Sequence, residues 1–184
     1  VMVTDTGSVW QIGGGTWLGY GDGNQIVISN GAVLLSSGMT VGMLPASESN
    51  SLTIVQGGGV TNIGTLAINA ANAVNVYSGG RLTTTTLTMQ PGAQIGVDVM
   101  TPGSIAVLNA GVTTVNGTVN PIHLPRTGRK TCTVLTCVGS VSGTLSVGPL
   151  PAGYAGSIST IGTGPSQVDL LITGPSSSTV LFIQ

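Results

Sequence analysis

The chain has 184 residues, and with four Lys or Arg against five Asp or Glu its formal net charge is -1. So few basic residues cannot form the stripe that neutralises nucleic-acid phosphates, nor the basic face of a membrane-surface helix. No stretch approaches the roughly 20 consecutive apolar residues that a membrane-spanning helix needs. We therefore predict a protein without a nucleic-acid partner and without membrane insertion.

The composition favours a folded, all-β chain. Charged residues make up 5% of the sequence, whereas glycine occurs 30 times and hydrophobic residues make up 41%. Glycine-rich chains are often disordered because they bury too little apolar surface. Here Val, Leu and Ile alternate with polar residues over short runs, which is typical of strands. No segment combines the periodicity, caps and stop signals of a helix.

The first strand-like segments carry three aromatic residues, Trp10, Trp17 and Tyr20. Such rings can stack on sugars, so a carbohydrate-binding surface that contacts cell-surface glycans is one hypothesis. The interpretation that we favour is that they fill and cover the first turn of a repeating fold, because end turns need large apolar groups.

A repeat follows in residues 17–34 (WLGYGDGNQIVISNGAVL) and 40–60 (TVGMLPASESNSLTIVQGGGV). In both segments an apolar residue precedes Gly, a polar loop ends in Asn, and an alternating strand leads to another Gly. The strand and its Gly recur in 73–82, in 86–95 and, more loosely, in 104–115.

Recurrence of one strand pattern predicts a parallel β-solenoid over residues 1–118, in which each turn of chain stacks on the previous one. Ten residues are expected to face inward in columns: Ile26, Ile28, Leu52, Ile54, Val74, Val76, Leu87, Met89, Ile105 and Val107. Because the strands are unevenly spaced, an irregular antiparallel sandwich is the alternative.

After residue 118 the repeat pattern stops and prolines accumulate. Alternating strands continue, so residues 119–184 are predicted to form a β-rich module that caps the solenoid or mediates its assembly. This module contains Cys132 and Cys137, for which we favour two buried thiols. A disulfide across a bend or to another subunit is the next hypothesis. A metal site is the least favoured hypothesis, because the chain has no further Cys and its single His is His123.

The acidic side chains are dispersed, without the paired carboxylates of a glycosidase or a base beside a metal. They are Asp5, Asp22, Glu48, Asp98 and Asp169. His123 lies among prolines and is interpreted as a loop or cap residue. We therefore predict no enzymatic activity, no catalytic residue, no metal and no cofactor.

Both ends of the chain are apolar strand sequence with no charge to block pairing with another strand. We predict that the protein associates with itself end to end, as a filament, sheath or matrix, by strand addition. The residues assigned to this contact are Val1, Met2, Val3, Thr179, Val180, Leu181, Phe182 and Ile183. The alternative is a monomeric passenger fragment that acts as an adhesin or a carbohydrate-binding module, and a polysaccharide-degrading enzyme is less favoured still.

The segment VTDTGSVWQIGGGTWLGYGDGNQIVISNGA resembles the repeats of bacterial autotransporter-like β-helix proteins, which bear autotransporter-associated β-strand repeats. The segment TCTVLTCVGSVSGTLSVGPLPAGYAGSIST is similar to the module that closes many such passengers. The resemblance covers most of the chain. It implies a right-handed parallel β-helix, export to the cell surface or the medium, and an adhesive or matrix role.

Overall fold

A computed structural model describes residues 1–176, apart from the side chain of Ile63. These residues form strands and contain no helix, so none of them forms a helix long and apolar enough to cross a membrane. The strands are β1 (Met2–Val3), β2 (Val9–Leu18), β3 (Gln25–Ile28), β4 (Val33–Val41), β5 (Ser51–Ile54), β6 (Gly59–Ile68), β7 (Ala73–Val76), β8 (Arg81–Met89), β9 (Gln94–Asp98), β10 (Ser104–Val107), β11 (Val112–Val115), β12 (Gly117–Ile122), β13 (Arg129–Cys137), β14 (Ser140–Ser142), β15 (Leu145–Val147), β16 (Ala155–Ile161) and β17 (Ser166–Thr173).

The chain alternates between two sheets. Sheet 1 has the order β1-β3-β5-β7-β9-β12-β15, and sheet 2 has the order β16-β17-β13-β10-β8-β6-β4-β2, with β11 and β14 beside it. Each strand of the coil pairs in parallel with the strand one turn away. The fold is a β-solenoid of about six turns, which confirms the predicted class and excludes the antiparallel sandwich.

The core consists of apolar columns that run along the coil axis. Ile28 pairs with Ile54, and Ile54 pairs with Val76, so one column of sheet 1 repeats in every turn. All ten residues predicted to face inward are buried in one cluster. They do not all lie in one sheet, however, because Leu87 and Ile105 belong to sheet 2. Strands of both sheets alternate in the same way, which is why the sequence pattern recurs in both.

Parallel pairing continues past residue 118. Strand β12 pairs in parallel with β9 and β15, and β13 pairs in parallel with β10. The pairing changes only at β17, which lies antiparallel to both β13 and β16. The proposed division at residue 118 therefore falls within β12, and a separate capping module stays a prediction.

Candidate functional site

The first turn of the solenoid is open on its outer side. Strands β1 and β2 are the edges of the two sheets, and between them lies a concavity of about 730 Å³. Trp10 and Ile12 line it and are half-buried, although their partners one turn on, Leu34 and Ser36, are buried. The concavity is thus the place where the core columns end without a covering turn.

The three predicted aromatic residues surround this concavity. Trp10 points inward and packs against the core, whereas Trp17 and Tyr20 are 61% and 63% exposed. The structure therefore brings together all three residues proposed for sugar binding. It also gives Trp10 the place of an end-covering side chain, as in the favoured interpretation of the sequence.

A ladder of asparagines joins successive turns at the corner that precedes sheet 1. The backbone N and the side-chain Nδ2 of Asn24 donate to Oδ1 of Asn50, over 2.9 and 3.0 Å. The same two groups of Asn50 donate to Oδ1 of Asn72, over 3.0 and 2.9 Å. Asn50 and Asn72 are buried, so the ladder satisfies amides that would otherwise be costly to bury.

Two glycines make room for this ladder. Gly19 and Gly42 have φ of 96° and 80°, in the left-handed region, and a Cβ on either would collide with the side chain of Asn50 or Asn72. The Gly-to-Asn pattern found in the sequence is therefore a packing unit between neighbouring turns. At the open end the unit is incomplete, because Oδ1 of Asn24 accepts no hydrogen bond from any described residue.

The opposite end of the coil is partly covered. The chain crosses from β15 to β16, and Leu150, Tyr154 and Ile158 pack against the core there. A smaller concavity of about 180 Å³ remains, lined by Val141, Leu145 and other residues of this end.

A buried carboxylate lies at the other corner of the coil, after sheet 1. The side chain of Asp98 has 0% exposure and its Oδ2 lies 2.9 Å from Nδ1 of His123, which is 68% exposed. Asp98 also accepts hydrogen bonds from the backbone of Met100 and from the backbone and hydroxyl of Thr101. His123 adopts φ of 48°, an uncommon conformation for a residue with a Cβ.

This environment controls two pKa values. Burial alone would raise the pKa of Asp98, but hydrogen bonds from Thr101, His123 and Met100 outweigh it and lower the pKa to about 2. The pKa of Tyr77 is raised, first by burial and then by the charge of Asp98. The Asp98 carboxylate is thus held in its ionised form by several hydrogen-bond donors. One of its contacts is with the ring Nδ1 of His123.

Sequence analysis assigned Asp98 and His123 to unrelated places. They meet because Asp98 pairs with Ile122, the residue before His123, across β9 and β12. Aligning QIGVD (94–98) with TVNPI (118–122) would have placed them together. That alignment has no shared motif, so only the register of the sheet identifies it.

Two of the other acidic side chains accept hydrogen bonds within the fold. Asp22 Oδ1 accepts the backbone N–H of Glu48 over 2.9 Å, and Asp169 Oδ1 accepts from Gln167 Nε2 over 2.7 Å. Among the described residues no three His, Cys, Asp or Glu side chains lie close enough to hold a metal ion.

Both cysteines lie in β13 as free, buried thiols. Burial, followed by the nearby charge of Asp169, raises the pKa of Cys132 to about 11, and burial also raises that of Cys137. A cysteine acts as a nucleophile or a metal ligand in its thiolate form. The raised pKa values disfavour that form, so neither thiol is primed for either role.

The predicted assembly residues fall into two groups. Val1 and Val3 accept backbone hydrogen bonds from Val27 and Ser29, with Met2 between them on the outermost strand of sheet 1. Thr179, Val180, Leu181, Phe182 and Ile183 lie outside the described residues.

Comparisons with protein-family models, curated proteins and solved structures found no significant match. The solenoid architecture thus rests on the structure itself, and the attribution to autotransporter-like passengers stays an interpretation of the sequence.

Proposed function

We propose that this protein is a non-enzymatic structural or adhesive solenoid that acts outside the cell and associates end to end. The observation that carries this proposal is the open first turn, where the half-buried side chains of Trp10 and Ile12 line a concavity beside two sheet edges that no further described strand pairs with. Covering such apolar surface is favourable at about 25 cal/mol per Å².

Light scattering and negative-stain microscopy at rising protein concentration test the proposal. We expect particles that lengthen with concentration while their width stays that of one solenoid. A strict monomer at every concentration would overturn end-to-end association. Deleting residues 177–184 then tests whether the predicted terminal strand is the contact.

The absence of enzymatic activity is part of the proposal. Asp98 accepts several hydrogen bonds, and neither Asp98 nor His123 lines the concavity at either end of the coil. We expect no turnover of polysaccharides or peptides by the purified protein. Turnover that is lost in the His123→Ala variant would contradict this.

An extracellular location is supported by the low charge, by the many hydroxyl and amide side chains and by the resemblance to exported passengers. Antibody labelling of intact cells of the source organism is the direct test. Signal that appears only after the cells are opened would exclude it.

Glycan binding at the open end is the second candidate function. It is favoured by one observation, that Trp10, Trp17 and Tyr20 surround the same concavity. Saturable binding to a glycan array that is lost in Trp17→Ala, with assembly unchanged, would favour this function over association.

A further inference from the structure

Among residues 1–176, the strands at the ends of the two sheets are groups that could pair with another molecule. Sheet 1 ends in β1 and β15, and sheet 2 ends in β2 and β16, with β14, which pairs only with β11, as a further edge. Edge strands present backbone N–H and C=O groups that lack a partner, which makes them templates for strand addition.

Within each sheet, the two end strands run in the same direction. Every pair in sheet 1 is parallel, so β1 and β15 have one direction. In sheet 2 the strands from β2 to β13 are parallel, and two antiparallel pairs, β13 with β17 and β17 with β16, follow. Two reversals restore the original direction, so β16 runs parallel to β2. A second copy moved along the coil axis therefore presents each sheet with a strand of the matching direction.

None of the four strands carries the residues that usually block edges. Their sequences, MV, VWQIGGGTWL, LSV and AGSISTI, contain no Lys, Arg, Asp, Glu or Pro. Arg129 and Lys130 lie near the end of sheet 2 that β16 forms. They belong to β13, whose edge is already paired with β17. Charge is thus absent where it would prevent pairing with another copy.

The inward faces of the strands at both ends are apolar. Trp10 and Ile12 are half-buried at one end, and Leu145 and Ile158 are half-buried at the other. Each pair lines a concavity, of about 730 Å³ and 180 Å³ respectively. Stacking one end on the other would place apolar side chains against apolar side chains.

We propose that a second copy of this chain is the partner, and that β16 and β15 of one copy pair in parallel with β2 and β1 of the next. The inference rests on the proposed end-to-end association and specifies its strands, with no requirement for residues 177–184. The contact joins two different surfaces, so it repeats in every added copy and builds a filament unless the rotation closes a ring.

Two variants block one end each. Ile158→Lys places a charge on the inward face of β16, and Ile12→Lys does the same on β2, where each half-buried side chain lines a concavity that stacking would cover. The matched control is Thr61→Lys, on an exposed position of β6, which lies inside sheet 2. Circular dichroism verifies that each variant is folded.

Each edge variant alone is expected to have the mass of one chain, because the added charges would be desolvated by pairing. An equimolar mixture of the two is expected to form a complex of two chains and nothing larger, since one free β16 meets one free β2. The control is expected to assemble like the unchanged protein.

The outcomes separate the two proposals. A monomeric unchanged protein overturns end-to-end association and this inference with it. Assembly that persists in both edge variants, or that requires residues 177–184, overturns the β16 to β2 contact and leaves association in place. Failure of two folded edge variants to combine with each other also overturns the β16 to β2 contact. Circular dichroism distinguishes this outcome from the failure of a variant to fold.

Discussion

Two corners of the coil hold neighbouring turns together by different chemistry. At the corner before sheet 1, neutral asparagines repeat from turn to turn, with Asn24, Asn50 and Asn72 in one ladder. At the corner after sheet 1, one buried carboxylate, that of Asp98, gathers donors from its own turn and from His123 in the next. A repeated neutral ladder can be extended by a further turn, whereas the charged corner is complete in itself.

The difference reflects how each group is satisfied. An amide both donates and accepts, so Asn24 and Asn50 each donate to the next asparagine, and Asn24 at the open end is left with an unmet acceptor. A carboxylate only accepts, so it collects donors around itself and needs no further copy. Three substitutions probe this contrast, from the largest expected effect to the smallest.

Gly42→Ala should destabilise the protein most. The new Cβ would collide with the buried side chain of Asn72 and would hold a left-handed φ, a combined cost of about 3 kcal/mol. Gly57→Ala is the control, because its φ of 73° is similar but nothing lies within 4 Å of the added Cβ. It should cost about 1 kcal/mol. Equal losses in urea unfolding would show that packing against the ladder is unimportant.

The charged corner should give acid-dependent stability. The pKa of Asp98 in the folded protein is about 2, below the ordinary value of 3.8. Its contribution is therefore complete above pH of about 4 and is lost as the pH falls towards about 2, a change of about 2 kcal/mol. Urea unfolding between these pH values should show the loss in the unchanged protein and in Asp22→Asn. If the free energy of unfolding of an Asp98→Asn variant depended on pH as steeply as that of the unchanged protein, the acid sensitivity would have to come from another group.

Within the ladder, position should decide the effect. Asn50→Ala removes the acceptor of Asn24 and the side-chain donor to Asn72 in a buried place, and we expect a loss of about 1.5 kcal/mol. Asn24→Ala, at the exposed end, should change the free energy of unfolding by less than about 0.5 kcal/mol. Monomeric protein at low concentration is needed for the measurement. A larger loss at Asn24 than at Asn50 would contradict a ladder that is anchored inside the coil.

Much of the fold was predictable because a solenoid repeats its local rules. The alternation around Ile28 and Ile54, and the Gly and Asn of the first two loops, predicted strands, buried faces and stacked turns. The pattern alone did not distinguish the two sheets: Leu87 faces inward as predicted, but β8 belongs to sheet 2, whereas Ile54 lies in sheet 1.

The candidate sites were only partly predictable. Trp10, Trp17 and Tyr20 were identified because aromatic residues are rare in this chain, and the structure brings them to one end. The contact of Asp98 with His123 was missed, since it depends on pairing between β9 and β12, whose sequences do not resemble each other.

The sequence by itself determined that the chain is all-β, that its strands alternate inward and outward, and that glycine and asparagine end its loops, because these are properties of a few neighbouring residues. The tertiary structure alone decided the register between turns, and with it the partners of Asp98 and the direction of β16 relative to β2. Register and strand direction arise from hydrogen bonds between residues far apart in the chain. No local pattern specifies them, and they determine which edges are left to meet another copy.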